Sequence, residues 1–144
     1  MKPIKPLFCL LFISIILISC ESSLTQHRYG ENVVLKSEKK IYSSNEQVIL
    51  HLYNETNDVL YLNYCGPTLL YELDQKNKGD WTPYSGGACL AMYLIKFTPS
   101  VKPGETKTIN LHKLEVGEYQ LNLPYKLAST SSETDTLIAK FYVQ

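Results

Sequence analysis

The sequence predicts an all-β domain, an antiparallel sandwich of about seven strands. Three observations predict it. Short runs alternate apolar and polar residues with the period of a half-buried strand, as in Tyr119, Leu121, Leu123 and Tyr125 set against Glu118, Gln120 and Asn122. Clusters of Gly, Pro, Asn and Asp punctuate these runs roughly every 8–12 residues, the spacing of turns in a sandwich. Past residue 19, no window of about 11 residues or more carries a helical period. Several strands with one apolar face each must bury those faces against one another, because a lone sheet leaves one of them in water.

Taken in order, residues 33–36 (Val-Val-Leu-Lys) form a first strand, followed by a charged turn at residues 37–40. From Glu46 to Tyr53, Val48, Leu50 and Leu52 share one face, with Gln47, Ile49, His51 and Tyr53 on the other. Residues 54–58 (Asn-Glu-Thr-Asn-Asp) are a turn cluster, and residues 59–65 form a strand rich in Leu and Tyr, so the two runs are expected to pair as a hairpin. Gly66-Pro67 breaks the chain, residues 69–73 form another strand, and residues 74–79 are a polar turn. Residues 80–89 mix Trp81, Pro83, Tyr84, Gly86 and Gly87, which suits a long ordered loop, and residues 90–97 fit a strand or a helical turn. A turn spans Pro99 to Gly104, and residues 105–111 alternate with Ile109 and Leu111 inward. Gly117 opens the cleanest strand, residues 128–135 are a Ser/Thr-rich loop, and the last strand turns Leu137, Ala139, Phe141 and Val143 to one side.

The N-terminus has a different character. Lys2 and Lys5 precede an apolar run from Leu7 to Ile18, then Ser19 and Cys20. A charged start, a short apolar middle and a small-residue cut site describe a secretory signal, and the run is shorter than the roughly 20 residues that span a bilayer. Leu17-Ile18-Ser19-Cys20 also resembles the lipobox of bacterial lipoproteins. That resemblance implies cleavage after residue 19 and lipidation of Cys20, which would anchor the protein to a membrane of the bacterial cell envelope, the outer membrane in a Gram-negative host. Residues 1–19 are then signal, 20–32 a polar tether and 33–144 the domain. Removing 19 of the 144 residues leaves 125, enough for one core. The 14 basic groups lose Lys2 and Lys5, leaving 12 against 14 acidic, and no basic stripe points to nucleic acid. Cys9 falls in the signal, so Cys65 and Cys89 remain, and in an exported chain they are expected to form a disulfide.

Three fragments, Tyr42-Ser-Ser-Asn-Glu46-Gln-Val48-Ile-Leu50-His-Leu52-Tyr-Asn54-Glu-Thr56, Val101-Lys-Pro103-Gly104-Glu105-Thr106 and Gly117-Glu-Tyr119-Gln-Leu121, resemble in their order immunoglobulin-like domains of bacterial exported proteins, including those of BsuPI-type proteinase inhibitors. The resemblance spans about residues 33–144 and implies an immunoglobulin-like sandwich and, more distantly, inhibition of an exported proteinase. Tyr119, two residues after Gly117, resembles the tyrosine corner of Greek-key sandwiches, whose hydroxyl bonds to upstream backbone.

The sequence carries few of the patterns that catalysis or metal binding requires. The three histidines, His27, His51 and His112, show no metal-ligand spacing, no Gly-x-Ser-x-Gly elbow is present, and no metal or cofactor is expected. The chain is therefore expected to be no enzyme but a non-catalytic binding or assembly module, with a protein partner in the envelope. Inhibition of an exported proteinase and glycan binding by an accessory lipoprotein are the alternatives. Residues 66–88 concentrate Tyr71, Trp81 and Tyr84, aromatic types that dominate contact surfaces. Trp81 beside Asp80 suits stacking on a sugar, or packing beneath the disulfide loop.

Overall fold

The structure, a computed structural model, describes residues 32–86, 89, 94–128 and 133–144. The signal, Cys20, nearly all of the tether and half of the Ser/Thr-rich loop lie outside the described residues. Among those described, no helix is long and apolar enough to cross a membrane.

The fold is a β-sandwich of eleven strands, where the sequence predicts about seven: β1 (Val33–Ser37), β2 (Ile41–Tyr42), β3 (Ile49–Asn54), β4 (Leu60–Cys65), β5 (Thr68–Leu69), β6 (Glu72–Asn77), β7 (Asp80–Gly86), β8 (Ile95–Val101), β9 (Thr106–Asn110), β10 (Gly117–Leu127) and β11 (Asp135–Val143). A three-stranded sheet in the order β1-β3-β9 packs against a larger sheet built on β2-β11-β10-β4. These two groups occupy the places of the A-B-E and G-F-C strands of an immunoglobulin sandwich, with the first strand divided between the sheets as β1 and β2. The β2–β11 pair is parallel, an exception to the antiparallel expectation; the other pairs are antiparallel.

The alternation read from the sequence holds on the principal strands. Val48, Leu50 and Leu52, Ile109 and Leu111, Tyr119, Leu121, Leu123 and Tyr125, and Leu137, Ala139, Phe141 and Val143 are all buried. Each full burial of a large apolar side chain is worth about 1.5–3 kcal/mol relative to exposure. Phe141 stacks on Tyr119 at 5.8 Å between ring centroids and meets Tyr42 edge-on at 5.9 Å.

The expected hairpin between residues 46–53 and 59–65 is not formed. β3 lies in the smaller sheet and β4 in the larger, so residues 54–59 make an arch across the sandwich. Buried Asn54 holds the arch: its Nδ2 donates to the carbonyls of Asp58 at 2.8 Å and Val101 at 3.0 Å, and its Oδ1 accepts from Thr56 N at 3.1 Å. A short polar connector suits a hairpin and an arch equally, because both strands send their apolar side chains into the same core.

Residues 80–89 hold a strand, β7, rather than a long loop. β7 pairs with β6, and the pairing shifts register between Leu73 and Asp74, opposite Pro83 and Tyr84. Among the described residues it has no second partner, and such an edge tolerates a proline that has no N–H to give. The polar turn expected at 74–79 contracts to Lys78-Gly79, both with positive φ (51° and 100°), the two-residue reversal that matches strand twist. Pro99 lies inside β8, and the turn after it narrows to residues 102–105, closed by Glu105 N donating to Lys102 O at 3.0 Å.

The larger sheet forks. β10 meets β11 along one side from Gly117 to Tyr125, while on the other Tyr119 to Asn122 meet β6 and Tyr125 to Leu127 meet β4. Pro124 falls between the two partners, at the branch. Cys65, at the end of β4, is bonded to Cys89, with their Cα atoms 5.5 Å apart. The disulfide encloses β5, β6 and β7 and ties this excursion back to the sandwich.

Candidate binding surface

The β6–β7 ribbon is clamped to β10 at a tyrosine corner. The Tyr119 hydroxyl donates to the carbonyl of Glu115 at 2.9 Å, four residues upstream, as the sequence suggests. Gln75 Nε2 donates to the same hydroxyl at 3.2 Å and to Val116 O at 3.4 Å. Gly117 makes room for this side chain: a Cβ there would stand 2.5 Å from Gln75 Nε2. Burial, then the neighbouring Tyr84 and Glu115, push the Tyr119 phenol far above its ordinary range. Burial does the same to Tyr125, reinforced by Asp135, whose carboxylate accepts its hydroxyl at 3.2 Å.

Of the three aromatics expected to share one contact loop, the fold separates two. Tyr84 meets the buried ring of Tyr119 edge-on at 5.2 Å and remains 36% exposed, so it covers the core at the sheet edge. Tyr71 is half-buried against the core, and burial raises its phenol. Trp81 stands on the outer face of the sheet. It lies opposite Lys76 in register, with the Lys76 ammonium 5.7 Å and the Lys140 ammonium 5.2 Å from its ring. Placed this close to an indole face, each cation is attracted by the ring quadrupole and holds the ring against the sheet.

Residues from five strands complete this face. Lys76 pairs with Glu118 at 3.0 Å. Across β10, Glu118 lies opposite Tyr142, and Tyr142 lies opposite Ile41 of β2. Tyr142 is 49% exposed and Ile41 52%, a wet apolar pair in the same row as Trp81. Beside them runs a polar chain in which Gln120 Nε2 donates to Asn122 Oδ1 at 3.0 Å and Asn122 Nδ2 to Asp74 Oδ2 at 2.8 Å. The result is an outward-facing platform of rings, lysine stems and fixed amides. Sequence reasoning found Trp81 but missed Lys76, Lys140, Tyr142 and Ile41; the one available signal was an aromatic, Tyr142, at an outward position between inward Phe141 and Val143.

His51 lies on the outer face of the smaller sheet, its Nδ1 3.3 Å from Thr108 Oγ1 and its Nε2 3.7 Å from Glu38. Among the described residues, no group of three or more His, Cys, Asp and Glu side chains is placed to hold a metal ion.

No protein-family model and no curated protein matches the sequence. Among solved structures, the chain is similar to the PmoD soluble domain from Methylocystis sp. ATCC 49242 (Rockwell), at 14% identity over 85% of this chain and 98% of that one, with a TM-score of 0.49. It is similar to a β-glucosidase from Listeria innocua in complex with gluconolactone at 15% identity and a TM-score of 0.34, and to a mutant of that enzyme in complex with laminaribiose at 15% and 0.33. The match covers 81% of this chain and 17% of each β-glucosidase chain, under a fifth of the enzyme's length.

Proposed function

We propose that this chain is a non-catalytic binding or assembly module of the bacterial cell envelope, anchored by lipid at Cys20, with the platform around Trp81 as its contact surface for a protein partner. The observation that carries the reading is the row formed by Trp81, Lys76, Glu118, Tyr142 and Ile41 across the outer face of the larger sheet. Tryptophan and tyrosine with long cationic side chains are the residue types that concentrate binding energy at interfaces. The platform lies at the end of the sandwich opposite the start of β1, since Gly117, Val143 and Tyr42 meet there while Val33 pairs with Asn54 at the other end. A tether leading to Val33 would therefore hold the platform away from the membrane.

Two measurements test the reading. Cys20→Ala is expected to release the protein from membranes or stall its processing, because stable anchoring needs more than one acyl chain; a variant still sedimenting with membranes at high salt would refute the anchor. A photoreactive residue at position 142 is expected to capture one envelope protein in living cells, and Trp81→Ala should abolish the adduct. Capture from position 53, on the smaller sheet, with none from 142 would move the site to the opposite face. Glycan binding is a second reading, favoured by the outward indole beside Gln120, Asn122 and Asp74; retention on immobilised envelope polysaccharide, lost in Trp81→Ala, would decide for it.

A further inference from the structure

The β8 edge of the larger sheet carries main-chain hydrogen-bonding groups that pair with no other strand among the described residues. β4 lies between β8 on one side and β10 and β5 on the other. A strand directs the backbone groups of successive residues to alternate sides. Val59 O accepts from Ala128 N at 3.2 Å and Asn63 O from Leu70 N at 2.9 Å, so Tyr61 and its odd-numbered neighbours face β10 and β5. Leu62 and Tyr64 therefore bond to their register partners Thr98 and Lys96, and Ile95, Phe97 and Pro99 turn their backbone groups outward. Pro99 fits there because an edge position asks for no N–H. The same three side chains share one face, apolar throughout, with Ile95 57% exposed. Other edges are blunted: β9 sends Lys107 inward opposite buried Leu52, and β7 is broken by the register shift opposite Pro83.

We propose that this edge accepts an extended segment of a protein as an added strand, with apolar side chains at alternate positions and an acidic one between them. Unpaired backbone donors and acceptors at strand spacing are complemented by another extended backbone. The row Ile95, Phe97 and Pro99 sets the apolar alternation, because side chains directly opposite stand close enough to pack. Lys96 sets the acid: it is the one charged side chain of β8, it is exposed, and it belongs to no ion pair among the described residues. A second copy of β8 fits poorly. Paired about Phe97, it would put two Lys96 side chains on a diagonal of about 7–8 Å and face each Ile95 with a Pro99 that has no N–H. Shifted so that Ile95 meets Phe97, it would set Lys96 directly opposite its copy, which is destabilising. Lys96 and Pro99 thus discourage self-pairing and leave the edge to a complementary chain.

The test is amide NMR and hydrogen exchange on the full chain in a neutral detergent, with the peptide acetyl-Val-Thr-Val-Glu-Val-amide as probe. Before peptide is added, the Ile95 and Phe97 amides should exchange at least about tenfold faster than those of Lys96 and Thr98. The peptide should protect the first pair and shift resonances along β8 in a saturable way. Replacing its Glu by Lys should weaken binding about two- to fivefold, as an exposed ion pair gives, and Lys96→Glu should reverse that preference. N-methylation of the central Val removes an N–H aimed at β8 in an antiparallel addition and should abolish binding, while N-methylation of the Glu should be tolerated. The reverse pattern assigns a parallel addition. Tolerance of both, an unchanged preference in Lys96→Glu, or no saturable shift on β8 would overturn the proposal. Slow exchange at Ile95 and Phe97 in the free chain would overturn it too, and a dimer by sedimentation would then give the edge to a second copy. Trp81→Ala should leave all of this unchanged, so the edge and the platform stand or fall separately.

Discussion

The β10–β11 pair and the β6–β7 ribbon lie in the same sheet, yet different forces hold them. β10 and β11 send Tyr119, Leu121, Leu123, Tyr125, Leu137, Ala139, Phe141 and Val143 into the core. Within β6 and β7, Leu73 is the one described residue that is fully buried. The ribbon is fastened instead from its sides, by Gln75 on Tyr119, Lys76 on Glu118, Asp74 on Asn122 and the disulfide beyond its end. The difference teaches where a small sandwich can afford a contact surface. A strand held by burial has half its side chains committed to packing, whereas one held by cross-links can turn an indole outward without loss to the core.

The largest effect should come from the pair. Leu121→Ala is expected to cost about 2–5 kcal/mol by opening a cavity in a fully buried row, measured by urea unfolding. A loss that large at Trp81→Ala would erase the distinction between the two regions.

Next is the disulfide. Replacing both Cys65 and Cys89 by Ala removes a crosslink between positions 24 apart in sequence. The loop-entropy model gives about 3.5 kcal/mol as its upper contribution. Hydrogen exchange should quicken more in β6 and β7 than in β10 and β11; uniform quickening would mean that the crosslink serves the whole core and not the ribbon.

Tyr119→Phe keeps the ring in its stack and deletes the hydroxyl shared by Glu115 and Gln75. A cost of about 0.5–1.5 kcal/mol is expected, the usual worth of a hydrogen bond with its partner left behind. A neutral result would show that Gln75 re-bonds to Val116 alone and that the corner does not clamp the ribbon.

The smallest effect belongs to the outer face. Glu118→Ala breaks the ion pair with Lys76, whose side chain is 38% exposed, and should shift stability by less than about 0.5 kcal/mol, shrinking further in salt. A loss several times larger would place this residue among those that hold the fold.

The sequence by itself determined the inward faces of β3, β9, β10 and β11 and the Cys65–Cys89 pairing, and it offered the Tyr119 corner as a resemblance and Trp81 as a candidate. Apart from the cysteine pairing, which follows from the count of cysteines left in an exported chain, these are local. Alternation reports which side of its own strand a residue occupies, and Gly117 followed two places on by Tyr119 is complete within three residues. Tertiary structure alone decided that β3 and β4 lie in different sheets, that residues 80–86 are a strand, and that Tyr84 turns to the core while Trp81 turns out. A two-residue period fixes burial without naming a neighbour, and a strand fastened mainly by hydrogen bonds, an ion pair and a disulfide leaves almost no apolar period to read. The platform brings together Ile41, Lys76, Trp81, Glu118 and Tyr142 from positions up to 101 residues apart in the chain. Their nearness follows from strand order in the larger sheet, which is chosen by how whole apolar faces pack and is written in no single stretch of sequence.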